Sequence, residues 1–213
     1  MPPAVRAPAF ISEADYLAFE AASPEKHEYV NGEIIDMAGG SLGHGLIQAN
    51  LIRALGNRLQ GAPCRSLGSE VRVQIKETGM YAYPDVVVYC GEAELSETIP
   101  PSLLNPRVLI EVLSASTEVN DRGVKVAHYR HRASVDAIVL IDSRTRLVEI
   151  QTRNPNGTWT LDERTSGDLP IAVLDVVIPF DEVYEGVTII PPPAPPSGRK
   201  PRPRELKPAR AAR

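Results

Sequence analysis

The chain has 213 residues, and its 23 Lys and Arg against 27 Asp and Glu give a formal charge of −4. That total hides a split: residues 191–213 hold seven basic side chains (Arg199, Lys200, Arg202, Arg204, Lys207, Arg210, Arg213) against Glu205, a charge of +6, which leaves −10 on residues 1–190. Eight of the 20 prolines also fall in 191–213, so this segment lacks the material for a core and is expected to be a disordered basic tail.

Residues 1–190 suffice for one domain and are too few for two ordinary ones. The longest apolar runs, such as VDAIVLI at 135–141, fall far short of the roughly 20 residues of a membrane span. The opening MPPAVRAPAF has no apolar h-region, so a cytoplasmic protein without a membrane partner is predicted. Cys64 and Cys90 give neither a disulfide framework nor a CxxC metal motif; a reducing compartment and a role as small buried hydrophobes suit them. Aromatics make up 5% of the chain, which argues against a broad base-stacking platform.

Ser12 ahead of Asp15, Tyr16, Leu17 and Phe19 predicts a capped helix ending near Ser23 and Pro24. In HEYVNGEIIDM the Asn31-Gly32 pair between alternating runs predicts a hairpin, with Glu33 opening its return strand. After the GGSLGH break, Ile47, Leu51, Ile52, Leu55 and Leu59 predict a helix over 44–60. Strands are expected at 69–75, 83–90 and 107–113, the first two joined as a hairpin near Gly79 and the third reached through a longer Pro-containing loop. A helix over 117–132, capped by Ser116 or Thr117, precedes strands at 136–142 and 146–152, a turn at 154–157, a weak strand near Trp159 and a short element at 181–186. This order implies an α/β fold with helices packed on a sheet.

Glu111 interrupts a strand that is apolar on both faces, with Val108, Ile110 and Val112 on one and Leu109 and Leu113 on the other. Such a strand belongs in the centre of a sheet. A carboxylate there needs a cation or hydrogen-bond donors to replace its water; a buried arginine pair would serve as well as a functional role. Asp85 follows Pro84 at the entry of another apolar strand, where Pro-Asp is also a common structural dipeptide. Together, two carboxylates on neighbouring core strands fit one hard divalent cation, magnesium or manganese. At 100° per residue, Lys125 lies about 80° from the stripe of Val119, Val126, Tyr129 and Ala133, a boundary position from which its ammonium can reach the sheet edge or form an exposed i,i+4 pair with Asp121.

The strings VNGEI, YPDVVV, IEVLSASTEVNDRGVKVAHY and IVLID resemble those of the Uma-two family, a branch of the restriction-endonuclease-like PD-(D/E)xK nucleases, across residues 16–184. The resemblance implies a mixed central sheet flanked by helices, with an N-terminal helix and hairpin. It implies Asp85 as the PD aspartate, Glu111 as the second metal carboxylate and Lys125 as the catalytic lysine. The superfamily pattern places lysine two residues after the glutamate; that position here is Leu113, and the resemblance to the Uma-two branch implies a lysine moved to the following helix. An acidic residue before the PD motif is also implied, and Glu33 is the chosen position, with an exposed hairpin charge as the other reading. His44 faces the same cleft or caps its helix, and Arg122 and Tyr129 touch phosphate or serve packing. With the main-chain carbonyl of Val112 completing the protein ligands, the implied activity is magnesium-dependent hydrolysis of DNA. A homodimer is expected, because cutting both strands of a duplex calls for two sites. The competing readings are a nucleic-acid-binding or regulatory module with little cleavage, and the same metal site acting on RNA. The basic tail would act as a tether, supplying phosphate attraction to an acidic body.

Overall fold

The protein is described by a computed structural model over residues 10–37 and 39–189; the expected basic tail at 191–213, its disorder and its tether role lie outside the described residues. Helix α1 (Glu13–Ala22) starts where Ser12 Oγ accepts the Asp15 amide at 3.1 Å, satisfying a donor that the first helical turn leaves free. Strands β1 (His27–Val30) and β2 (Glu33–Asp36) form the expected hairpin. Its two-residue turn needs positive φ at both positions, and Asn31 (52°) and Gly32 (86°) supply it. Helix α2 (Leu42–Arg58) is capped by Ser41 and buries Ile47, Leu51 and Leu55.

The remaining strands are β3 (Cys64–Gly68), β4 (Val73–Ile75), β5 (Met80–Ala82), β6 (Val86–Cys90), β7 (Pro106–Leu113), β8 (Ala137–Asp142), β9 (Val148–Arg153), β10 (Trp159–Arg164), β11 (Asp168–Ile171) and β12 (Val176–Pro179). They form a six-stranded sheet ordered β10-β9-β8-β7-β6-β3, a four-stranded sheet ordered β2-β1-β5-β4, and the β11-β12 hairpin. Strand β7 is central, antiparallel to β6 and parallel to β8. Its alternation divides the core. Val108, Ile110 and Val112 pack with α2, β11 and β12, whereas Leu109 and Leu113 pack with Val73, Ile75 and Met80 of the smaller sheet and with Val126 and Tyr129. Helix α3 (Val126–Tyr129) lies on this second face, and a short helix α4 (Phe180–Val183) closes the first.

Three expectations need correction. The strand expected over 69–75 is cut to Val73–Ile75, and the one expected over 83–90 starts at Val86; the hairpin at Gly79 instead pairs β4 with β5 in the smaller sheet. The chain then passes to the larger sheet across Tyr83, Pro84 and Asp85, because proline cannot donate to a ladder. The helix expected over 117–132 ends its α-helical part at Tyr129 and is π-helical over Asn120–Lys125, so the 100° arithmetic fails there: Val119 is exposed and Lys125 is buried. Finally, Cys64 and Cys90 are bonded as a disulfide. They are direct partners in the β3-β6 register, a proximity that sequence spacing could not show. Closing a loop of 26 residues constrains the unfolded chain, so reduction is expected to cost about 3 kcal/mol in urea unfolding. An unchanged midpoint on adding dithiothreitol would contradict it.

Candidate active site

Where β6 and β7 part, a cleft of about 180 Å³ opens against the smaller sheet, lined by Glu28, His44, Asp85, Glu111, Asp121 and Lys125 among others. The β6-β7 ladder ends at the Val86–Ile110 pair. Beyond it, the freed amide of Val112 donates to Asp85 Oδ2 at 2.7 Å. A strand residue's N–H and C=O point to the same side, so the Val112 carbonyl turns toward the same opening. Gln48 Nε2 donates to the Asp85 carbonyl at 2.8 Å and fixes the crossing from the other side.

Glu111 is 2% exposed, and the hydrogen bonds it accepts among the described residues all fall on Oε1. Tyr129 Oη donates at 2.6 Å and Lys125 Nζ at 3.3 Å. Its second oxygen is therefore uncommitted, as is Asp85 Oδ1. Lys125 Nζ also lies 2.8 Å from Glu28 Oε1 and 3.2 Å from Asp121 Oδ1, so its ammonium is surrounded by three carboxylates. Burial pulls its ammonium down, but Glu111, Glu28 and Asp121 outweigh burial and hold it above its ordinary value. Burial pushes the Glu111 carboxyl well up; Lys125 opposes this, and Asp121, Asp85 and Glu28 add to it. The Tyr129 hydroxyl is raised by burial and then by Glu111. His44 Nε2 lies 3.2 Å from Asp85 Oδ2, a hydrogen bond that raises its imidazole against the effect of burial.

The structure thus brings Asp85, Glu111, Val112, Lys125, His44 and Tyr129 together. Tyr129 is fully buried and its hydroxyl is bound to Glu111. Arg122 is bound to Glu118 at 2.7 Å and to Glu149, so its guanidinium is committed to a neighbouring ion network outside the cleft lining. Glu33 is exposed at the start of β2 and does not line the cleft. Glu28, 4% exposed on β1, is the acid of this hairpin's first strand that lines the cleft, and it also accepts the Tyr83 amide at 3.0 Å. Sequence reasoning overlooks Glu28 and gives Asp121 only an exposed pair with Lys125. The available signal was that Glu28 shares its strand face with Val30, and that Asp121 stands one helical turn before Lys125. The π-helical turn packs that pair inward at 3.2 Å, and such turns recur at functional sites.

Taking Glu28, Asp36, Asp85, Glu111 and Asp121 as −1 each and Lys125 and His44 as +1 each, the cleft carries −3 when all are ionised. Among the described residues no three His, Cys, Asp or Glu side chains form an all-side-chain metal cage. The donor set suits a cation that keeps much of its own water and takes one or two carboxylates.

Residues 13–178 match the family Uma2, described as "Putative restriction endonuclease". Two uncharacterized proteins of Synechocystis sp. are similar: one is 33% identical over 83% of this chain and 93% of its own, the other 32% identical over 72% and 86%. A crystal structure from Anabaena variabilis, described as "a putative nuclease belonging to DUF820", superposes with a TM-score of 0.62 at 17% identity, covering 82% of this chain and 97% of that one. It shares the fold.

Proposed function

The chain belongs to the Uma2 family, a restriction-endonuclease-like nuclease family, and from that premise we propose that it is a magnesium- or manganese-dependent endonuclease hydrolysing phosphodiester bonds in DNA. The observation that carries the reading is the pair of uncommitted oxygens, on Asp85 and Glu111, beside a freed Val112 carbonyl in a cleft with surplus negative charge. A buried cluster of this sign costs several kcal/mol per uncompensated ion, and a divalent cation is the group that would compensate it. Asp85, Glu111 and the Val112 carbonyl would hold that ion. When bound, it would lower the pKa of a coordinated water and polarise a phosphodiester oxygen.

The protein's own groups do the rest. Tyr129 and Lys125 hold one oxygen of Glu111 and leave the other presented to the cleft. His44 and the Val112 amide do the same for Asp85. Lys125, held protonated, sets positive potential where charge develops on the phosphate oxygens. A homodimer, with one site for each strand of a duplex, belongs to this reading.

Purified full-length protein with Mg²⁺ or Mn²⁺ is expected to cut DNA and to stop on adding EDTA. A panel of duplex, single-stranded and branched DNA and RNA identifies the substrate. Preference for RNA would replace the substrate named here. Metal-independent binding without cleavage would leave a nucleic-acid-binding module and end the hydrolase reading.

A further inference from the structure

A second cavity of about 570 Å³ shares Asp36, Met37, His44 and Asp85 with the cleft, so it is a side chamber of the same opening. His27 forms part of its wall and is only 7% exposed. Its Nδ1 lies 3.1 Å from Glu20 Oε2. Glu20 also accepts the His27 main-chain amide at 3.1 and 3.2 Å and the Tyr83 hydroxyl at 2.6 Å. With Glu20 acting throughout as acceptor, the proton on this side belongs to Nδ1. Phe19 holds the ring edge-on at 4.8 Å between centroids. The opposite nitrogen, Nε2, has no hydrogen-bond partner among the described residues; its nearest carboxylate oxygen is Asp36 Oδ1 at 3.8 Å.

A carboxylate that fixes one imidazole nitrogen and leaves the other free beside a reaction cleft is an arrangement for proton transfer. Packing alone does not require it, since a buried phenylalanine or leucine fills such space without two buried polar partners. His44, the other histidine of the chamber, is already engaged with Asp85. The charged groups nearest the His27 ring are Glu20 and Asp36, and Glu25, Lys26, His44 and Asp85 line the chamber with it.

We propose that His27, oriented by Glu20, is the proton donor to the leaving oxygen of the scissile phosphodiester. The inference rests on the hydrolase reading above. A water oxygen forms the new bond to phosphorus, the bond from phosphorus to the leaving sugar oxygen breaks, and that oxygen keeps the electron pair and takes the Nε2 proton of the imidazolium, leaving a neutral ring whose Nδ1 proton stays directed at Glu20. The proton lost by the attacking water returns to the imidazole through solvent, so no further reactant is needed.

The test compares an oligonucleotide with the p-nitrophenyl ester of thymidine 5′-phosphate, whose leaving group needs no proton. His27→Gln is expected to lower kcat on the oligonucleotide by about 10²- to 10³-fold and to leave its KM within about threefold. On the aryl ester it should stay within about threefold of wild type. Equal losses on both substrates, or none on either, would overturn the inference while the hydrolase reading stands, provided Asp85→Ala abolishes both reactions. Wild-type protein that cuts neither substrate would remove the reading and the inference together. Glu20→Gln, which keeps an acceptor oxygen but frees the ring, should show the same substrate contrast to a smaller degree, and carries the comparison if His27→Gln fails to fold.

Discussion

Asp85→Asn is expected to slow phosphodiester cleavage by about 10³-fold, a barrier increase of roughly 4 kcal/mol, while shifting Tm by less than about 3 °C. The two effects separate because the residue does two things. Its Oδ2 accepts the Val112 amide at 2.7 Å and meets His44 at 3.2 Å, and an asparagine oxygen can still accept from Val112. Its charge is what a hard cation needs, and the amide lacks it. Single-turnover cleavage and thermal unfolding of the same preparations decide the matter. Near-wild-type cleavage by this variant would place the cation elsewhere.

For Lys125→Met the larger effect should fall on stability, a loss of about 3–5 kcal/mol at neutral pH. The ammonium sits within 3.3 Å of Glu28, Glu111 and Asp121. Methionine keeps the length of the stem but leaves those carboxylates facing one another. The pH dependence gives the cause. The Glu111 carboxyl already lies well above its ordinary value of 4.5 through burial, so the folded protein binds more protons there than the unfolded chain does. A group raised on folding contributes its full stability below the unfolded value and loses that contribution as pH rises through the folded one. Removing Lys125 removes the influence that lowers it. The deficit in urea unfolding should therefore be greatest at neutral pH and shrink as pH falls toward 4.5. A deficit independent of pH would assign the loss to packing.

Much of this site could be read from residue order. Glu111 stood out because a charge in a strand apolar on both faces needs a reason, and the central position of β7 bears out that placement. The hairpin follows from Asn31 and Gly32, which accept the positive φ that the two-residue turn needs. Reading failed where geometry came from contacts distant in sequence. Residue order does not separate Glu33 from Glu28 on the same hairpin; the pairing of β1 with β5 decides which strand is covered. The boundary position expected of Lys125 rests on a regular 3.6-residue period, and the segment widens into a π-helix there. Strand β3 was missed since Arg65, Ser66 and Gly68 give an edge strand with little apolar alternation. The cysteines escaped for a similar reason: partners 26 residues apart meet only once the β3-β6 register is set.

The crossing at Tyr83, Pro84 and Asp85 also makes the cleft a seam. On one side stand Glu28 and the smaller sheet; on the other stand Glu111 and the larger sheet. Lys125 spans the two through its contacts with both glutamates. Whatever occupies the seam therefore enters the free energy that docks one sheet on the other, and occupancy and folding become linked equilibria. A cation that binds only the assembled seam would raise the unfolding midpoint in proportion to the logarithm of its concentration. Substitutions in the apolar contact between the sheets, far from any carboxylate, would then weaken its binding without touching a ligand.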